Sequence, residues 1–396
     1  MQIRFGAISC DSHAQLSRDA FTTRMSPRKW GDRIPQVKVI PWEGRLVERW
    51  VVDGKVVGPR GVSNCPAAMG DPLKKTFPQR WEEVPKIVYD PHERLRALDR
   101  DRIDGEVLFF NDPIDSATLP FQVNSDGGYE LACVQAYNDA LAEWRRVSER
   151  YLPIAIVPYL SDITVICKEV ERAVGKGHRG VAMAAEPSMA RPGLKHFNDH
   201  YWDPLWSTCQ DLGVPIHWHA HANIKLLPEY LVDDLVLRRT AAFSAQPQFV
   251  PNLVLSGIAE RFPRLNWVCA ESGMTWLKQV LELCDHVWER YHLWTEGLIT
   301  RPTEVFQRQV YAHFWYEKVE EPVGHVLGID NILWISDYPH GTSTFPHSWT
   351  VIENTTGHMS PECRERLLYQ NALRLYRIQA AVDCGMPAPA GLERVA

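Results

Sequence analysis

The chain has 396 residues, 45% of them hydrophobic and 23% charged, and its formal net charge is −6. This length exceeds the roughly 250 residues of a bare (β/α)8 barrel and fits a single domain with insertions. A negative net charge without a basic tract argues against nucleic acid and anionic membranes as partners.

Nine scattered cysteines without a C-x-x-C pair are typical of a reducing compartment. The first ten residues lack the pattern of a signal peptide, and no apolar run has the length of a membrane span. We therefore expect a cytoplasmic protein that acts on a small molecule, either alone or as a homo-oligomer such as a dimer.

Short apolar runs alternate with amphipathic segments along most of the chain. A continuous apolar run is typical of a parallel strand that is covered on both faces. Eight such strands are predicted, at Ile3–Cys10, Glu106–Phe110, Leu152–Tyr159, Gly180–Ala185, Val214–His219, Leu265–Ala270, Val310–Trp315 and Ile332–Ser336.

Helical patterns lie between these runs, at Pro91–Asp101, Tyr129–Arg150, Ile163–Gly175, Pro204–Leu212, Trp276–Tyr291 and Pro361–Tyr376. Two of the helices have N-terminal signals, because Asp90 precedes Pro91 and Ser360 precedes Pro361. Eight strands that alternate with helical patterns predict an α/β fold, a closed (β/α)8 TIM barrel, in one domain that spans residues 1–396.

Two stretches break the alternation and are interpreted as insertions after strands 1 and 5. Residues 14–89 contain a hairpin signature, in which Asp53-Gly54 separates the apolar runs 47–52 and 55–57. Residues 222–264 contain a helical pattern around 226–243 and a weaker one near Ile258. Because βα loops build the active sites of barrels, we predict that both insertions are walls or lids of the site. Four tryptophans of the first insertion either pack it down or line a pocket, namely Trp30, Trp42, Trp50 and Trp81.

Polar side chains follow several predicted strands at the point where those strands end. Asp11 and His13 follow strand 1, and residues i and i+2 of an extended chain face the same side. A carboxylate and an imidazole presented together make half of a site for a cation such as zinc or manganese. Alone, the pair is also compatible with a satisfied polar strand end.

Strand 5 ends with three histidines in strict alternation, His217, His219 and His221, and His217 lies nearest the strand core. Asp337 follows strand 8 in the same manner. The sequence therefore predicts one divalent metal ion, zinc first and manganese or iron as alternatives, bound by Asp11, His13, His217 and Asp337.

Glu271 follows strand 6, and a buried carboxylate needs a partner or a nearby cation. His340 lies three residues after Asp337. We predict that the catalytic proton is handled within a group of five residues, Asp337, Glu271, His219, His221 and His340.

These features resemble the second amidohydrolase family, which includes aminocarboxymuconate-semialdehyde decarboxylase and γ-resorcylate decarboxylase. The family implies a mononuclear site, usually with zinc and sometimes with manganese, and the ligand roles fall on the four residues predicted above. Related dinuclear enzymes carry a carboxylated lysine on strand 4, which has no lysine here. The resemblance rests on the segments Asp11-Ser12-His13, Tyr89-Asp90-Pro91, Val214-Pro215-Ile216-His217, Ala270-Glu271-Ser272-Gly273, Ser336-Asp337-Tyr338-Pro339-His340 and residues 371–376.

One departure from the family bears on the reaction. Decarboxylases of the family commonly have a histidine after strand 6, where this chain has Glu271. A carboxylate suits a base for metal-activated water, so the sequence favours hydrolysis of a C–N, C–O or activated C–C bond in a small aromatic or apolar carbonyl substrate. The alternative is non-oxidative decarboxylation of an aromatic or dienoic acid, with Arg60, Lys74 or Arg239 available to bind a carboxylate. A third hypothesis is a catalytically inactive binding protein with the same fold.

Overall fold

The computed structural model describes residues 1–57, 61–71, 76–114, 119–219, 240, 246–320 and 328–382. The strands in these residues are numbered in chain order. They are β1 (Gln2–Ile3), β2 (Ile8–Ala14), β3 (Gln36–Trp42), β4 (Arg45–Val52), β5 (Lys55–Val57), β6 (Gly105–Phe110), β7 (Tyr151–Ile156), β8 (Gly180–Met183), β9 (Ile216–His219), β10 (Trp267–Ala270), β11 (Val310–Phe314), β12 (Ile332–Trp334) and β13 (Ala381–Val382).

Eight parallel strands form one sheet in the order β12-β11-β10-β9-β8-β7-β6-β2. The two outer strands meet just beyond β12, where the N–H of His13 donates to the carbonyl of Tyr338 at 2.7 Å. The N–H of Asp337 donates to the carbonyl of Asp11 at 3.0 Å in the same place. The predicted (β/α)8 barrel is confirmed, and each of the eight predicted strands has a counterpart.

The helices surround the barrel and fill the connections between its strands. The predicted N-terminal signals are confirmed, because Asp90 accepts from the N–H groups of His92 and Glu93 and Ser360 accepts from that of Cys363. None of the helices in the described part of the chain combines the length and apolar character that crossing a bilayer requires. The helices are Pro27–Trp30, Lys86–Tyr89, Pro91–Asp101, Gly127–Val147, Ile163–Gly175, Pro187–Ala190, Asp203–Leu212, Val250–Val254, Ile258–Arg261, Leu277–Arg290, Pro302–Gln309, Ser348–Thr356, Pro361–Glu365 and Asn371–Leu375, with a π-helical turn at Arg366–Gln370.

The first strand differs from its prediction, because the run Ile3–Cys10 divides into β1 and β2. Between them the backbone N–H groups of residues 4–7 donate to the carboxylate of Asp104 at distances from 2.7 to 3.2 Å. Groups bound to one carboxylate are not available to a strand ladder. The barrel strand therefore begins at Ile8, and Asp11 and His13 lie inside it rather than after it.

The first insertion contains a three-stranded sheet, β3-β4-β5. Asp53 and Gly54 have φ angles of 51° and 78° between β4 and β5, which confirms the predicted hairpin. Trp50 is fully buried and packs edge-on against Phe21 and Trp81, so this ring holds the insertion together. In the second insertion, the helix Ile258–Arg261 matches the weaker predicted pattern, whereas the pattern at 226–243 lies outside the described residues except for residue 240.

A buried ion pair connects the helix Pro91–Asp101 to the barrel. Nε and Nη2 of Arg94 donate to the carboxylate of Glu106 on β6 at 2.9 and 2.8 Å, and neither side chain is exposed by more than 1%. Nη2 also donates to the carbonyl of Tyr338 at 3.3 Å, and the guanidinium lies 4.1 Å from the centroid of the Tyr338 ring. Arg94 therefore fixes the segment that follows β12.

Arg94→Met is expected to lower the free energy of unfolding by about 3–5 kcal/mol, because it leaves the Glu106 carboxylate buried without its partner. Arg96→Met is the matched control, since Arg96 lies on the same helix with its side chain 77% exposed and pairs with Glu93. The control should unfold almost as the wild type does, because an exposed pair contributes little. Denaturant unfolding measures both. Equal midpoints for the two variants would contradict the importance of the buried pair.

Candidate active site

Four polar side chains from β2 and the segment after β12 meet inside the barrel. Nε2 of His13 lies 3.4 Å from Oδ1 of Asp11 and 3.3 Å from Oδ1 of Asp337. Nδ1 of His340 lies 2.9 Å from the same Asp337 oxygen, and its ring lies over that of His13 with centroids 3.8 Å apart. All four residues are buried. The structure thus brings Asp11, His13 and Asp337 together as predicted, and adds His340 beside them.

Local backbone structure explains how the side chains of this cluster are oriented. The register between β2 and β6 shifts between Ser9 and Ser12, which is a bulge within β2. Nδ1 of His13 donates to the carbonyl of Phe110 at 2.5 Å, so Nε2 faces the carboxylates of Asp11 and Asp337. Asp337 has a φ of 52°, a left-handed conformation that aspartate tolerates better than most residues and that turns the chain at the strand end.

Strand β9 contributes His219, and not the predicted His217, to the cluster around Asp11. Nε2 of His219 lies 3.5 Å from Oδ2 of Asp11, and its ring meets that of His13 edge-on at 5.0 Å. His217 faces the same way but lies deeper, because residues two apart in a strand are separated by about 6.6 Å. Its ring nitrogens lie 3.2 Å from the carbonyl of Val181 and 3.0 Å from the hydroxyl of Tyr376. The expected position of His217 beside Asp11, His13 and Asp337 is therefore corrected to His219.

Glu271 stands behind His219. Its Oε2 lies 3.7 Å from Nδ1 of His219, on the ring edge opposite the one that faces Asp11. Its carboxylate is buried, and its φ of 51° is again left-handed. Glu271 therefore lies beside the imidazole of His219, on the side away from Asp11.

His313 on β11 is a residue of this site that the sequence analysis missed. It is fully buried, its Nδ1 accepts from the N–H of Glu271 at 3.1 Å, and the same atom lies 3.8 Å from Oδ2 of Asp11. The signal in the sequence was a single histidine within an apolar strand, which usually indicates a hydrogen-bonded core residue.

Burial and neighbouring charges shift the pKa values of this cluster in opposite directions. Burial raises the pKa of Asp11, against the effect of His313 and His13. Burial favours the neutral ring of His13, but the carboxylates of Asp337 and Asp11 outweigh it and raise the pKa of His13 to about 9. Burial also opposes ionisation of Asp337, yet His340 and His13 hold its pKa well below the usual range. The two carboxylates therefore favour a proton on His13, and a cation bound in the same place would balance their negative charge.

Several atoms in the cluster lack a hydrogen bond. Among the described residues, neither carboxylate oxygen of Asp11 nor Nε2 of His13 has a hydrogen-bond partner. An unpartnered buried polar atom is costly, and it is explained most simply by a ligand that the folded protein binds. Two groups of side chains are close enough to hold a metal ion, namely Asp11, His13 and His219, and His13, Asp337 and His340.

Part of the first insertion lies against the segment that carries Asp337 and His340. The N–H of Ala67 donates to the carbonyl of Pro339 at 3.1 Å, and the carbonyl of Asn64 accepts from Asn111, which follows β6. Ala67 also packs with Tyr338 and Phe345. The insertion thus lies on the side of the barrel where strands end. Four other predicted residues lie outside the described part of the chain, namely His221, Arg60, Lys74 and Arg239.

Comparison with known proteins places these features in context. A family model described as amidohydrolase matches residues 10–378. The decarboxylase orsB of Emericella nidulans is 24% identical over 326 residues, which cover 78% of this chain and 94% of that protein.

Solved structures share the fold. An amidohydrolase from Mycobacterium avium subsp. paratuberculosis superposes with a TM-score of 0.73 at 21% identity, covering 93% of this chain and 98% of that one. A dihydroxybenzoic acid decarboxylase from Polaromonas sp. JS666, solved with manganese and the inhibitor 2-nitroresorcinol, has a TM-score of 0.56 at 20% identity, covering 75% and 89%. At these identities the structural likeness establishes the fold alone.

Proposed function

The chain belongs to the amidohydrolase family, and from that premise we propose that it is a metal-dependent, non-oxidative decarboxylase of an aromatic acid. The observation that carries the proposal is a pair of buried groups that share His13 and could hold a metal ion, Asp11 with His13 and His219, and His13 with Asp337 and His340, in which Asp11 and His13 have unpartnered atoms among the described residues. The substrate class follows the names of the relatives, a decarboxylase and a dihydroxybenzoic acid decarboxylase.

The spacing of the cluster fits one divalent cation. Two ligand atoms at about 2.1 Å from one metal ion and at a tetrahedral angle lie about 3.4 Å apart. Nε2 of His13 lies 3.4 Å from Oδ1 of Asp11 and 3.3 Å from Oδ1 of Asp337, and Nε2 of His219 lies 3.5 Å from the other oxygen of Asp11, Oδ2. The two groups of potential ligands share His13, whose Nε2 can ligate only one ion. We propose Asp11, His13, His219 and Asp337 as its ligands.

Two imidazoles and two carboxylates suit zinc and manganese alike. Manganese in the dihydroxybenzoic acid decarboxylase makes it the first ion to test. When bound, the cation would polarise the carboxylate and an adjacent oxygen of the substrate.

Decarboxylation needs a proton rather than a water molecule. The bond between the ring carbon and the carboxylate breaks, its electron pair stays on the carbon, and carbon dioxide leaves while that carbon takes up one proton. We propose that Nε2 of His340 gives this proton, since its Nδ1 lies 2.9 Å from Oδ1 of Asp337. The pair orients the imidazole and stabilises its charged form.

The position of Glu271 removes the main reason for favouring hydrolysis. That preference rested on a carboxylate that would serve as base toward water in place of the imidazole of a decarboxylase. Glu271 instead faces Nδ1 of His219, and His340 supplies an imidazole beside Asp337. The comparisons favour decarboxylation as well.

The proposal is tested with protein reconstituted with Mn²⁺ or Zn²⁺ and offered hydroxylated benzoic acids, beginning with 2,6-dihydroxybenzoate. We expect carbon dioxide release that a chelator abolishes and that added metal restores. In D₂O the product should carry one deuterium on the carbon that lost the carboxylate, which mass spectrometry detects.

A panel of aryl amides and esters serves as the comparison. Metal-dependent cleavage of that panel without carbon dioxide release from any acid would overturn the decarboxylase proposal in favour of a hydrolase. Protein that binds neither metal would overturn both.

A further inference from the structure

His313 is oriented toward the metal cluster by the strand that carries it. Ala312 on β11 pairs in parallel register with Cys269 on β10, so His313 stands one residue beyond, level with Ala270. Ala270 in turn pairs with His219 on β9. Residues in register on parallel strands face the same side, and the small Ala270 separates two imidazoles that flank one carboxylate oxygen of Asp11.

The hydrogen bond from Glu271 fixes which nitrogen of His313 carries a hydrogen. A backbone N–H only donates, and that of Glu271 points at Nδ1 from 3.1 Å. Nδ1 must therefore accept, and the neutral ring carries its hydrogen on Nε2. The backbone of Glu271 thereby fixes the tautomer of the His313 ring.

The remaining N–H of His313 has no acceptor in the part of the chain that the structure describes. His313 is fully buried, and among the described residues its Nε2 makes no hydrogen bond. A buried donor that makes no hydrogen bond costs about 1–3 kcal/mol of stability. Such groups in proteins generally meet a ligand, an ion or an ordered water. A donor with a hydrogen cannot ligate a cation through that atom, which leaves an oxygen acceptor.

We propose that Nε2–H of His313 donates to a hydroxyl or phenolate oxygen on the ring of the bound aromatic acid, and thereby selects acids that carry this substituent. The inference rests on the proposed decarboxylase function and deepens it. The carboxylate and one adjacent oxygen would face the cation, and the second oxygen flanking the carboxylate would face His313. A ligand that lacks this oxygen would leave the donor unpaired in the complex, which is a strong basis for discrimination.

The experiment compares two ligands with three variants in metal-loaded protein. The ligands are 2,6-dihydroxybenzoate and 2-hydroxybenzoate, which differ in one ring oxygen. His313→Phe removes the donor, and His313→Gln keeps a donating amide. Tyr311→Phe is the control, because Tyr311 is a buried residue two positions earlier on the same strand. Dissociation constants by calorimetry, KM, kcat and bound metal are measured for each.

We expect His313→Phe to weaken binding of the dihydroxy acid by about 10–100-fold, as expected for a hydrogen bond to a charged partner. Binding of the monohydroxy acid should change by less than about threefold, and His313→Gln should restore part of the discrimination. Bound metal and the preference of Tyr311→Phe should match the wild type.

Equal losses for both ligands would overturn the inference and show that His313 is structural. Loss of metal in His313→Phe would make it a support of Asp11, and no change at all would mean that a buried water alone satisfies the donor. Each of these results leaves the decarboxylase proposal standing if the wild type releases carbon dioxide. A wild type that binds no metal and neither acid would overturn the function first.

Discussion

His219→Asn is expected to remove the bound cation, whereas the same substitution at His217 should leave it in place. Nε2 of His219 lies 3.5 Å from Asp11, while the two ring nitrogens of His217 lie against Val181 and Tyr376. Even a residue that only orients a ligand typically changes metal affinity by about 10–100-fold, so loss of the ligand itself should cost more than about 100-fold.

The measurement is metal content after dialysis, together with a titration of metal-free protein with Mn²⁺. The two variants are matched, because they lie on one strand, face one side and are equally buried. The order of the two variants should be reversed when the free energy of unfolding is measured. His217→Asn loses its bond to the Tyr376 hydroxyl and should unfold more readily, by about 1–3 kcal/mol. Retention of the metal by His219→Asn and its loss from His217→Asn would restore the ligand set predicted from the sequence.

The choice between these histidines shows where sequence reasoning stopped. Alternation placed His217 and His219 on one face, and that relation holds in β9. The depth of each residue in the barrel depends on where the strand ends relative to its neighbours. That register is set by pairing with β8 and β10, which no local pattern in the sequence contains.

The barrel itself was predictable, because continuous apolar runs between amphipathic helices have few other solutions. Asp11, His13 and Asp337 were predictable for the same reason, since parallel strands bring their ends together. His313 and Arg94 were not. A histidine in an apolar strand and an arginine on a helix become informative only when their partners are known, and those partners are distant in the chain. Glu271 lies near His219 in the structure, but that neighbour could not be inferred from its position in the sequence.

His340→Gln is expected to lower the rate of decarboxylation by about 10²–10⁴-fold at saturating metal, the usual contribution of a positioned acid. Its imidazole lies over that of His13 and its Nδ1 lies 2.9 Å from Asp337, so Nε2 is the nitrogen that we propose as the proton donor. Glutamine retains the size of the side chain and a hydrogen bond to Asp337, but it does not transfer a proton. Bound metal should therefore remain near the wild-type amount.

Glu271→Gln is the contrasting variant, because we propose that Glu271 acts through His219 rather than on the substrate. Its Oε2 lies 3.7 Å from Nδ1 of His219, so the substitution should weaken metal binding by about 10–100-fold. Once metal is saturating, most of the rate should return, which a titration of activity with Mn²⁺ shows directly. In His340→Gln, by contrast, added metal should restore nothing. If the two outcomes are exchanged, so that metal rescues His340→Gln and not Glu271→Gln, then Glu271 carries the proton and His340 supports the metal site.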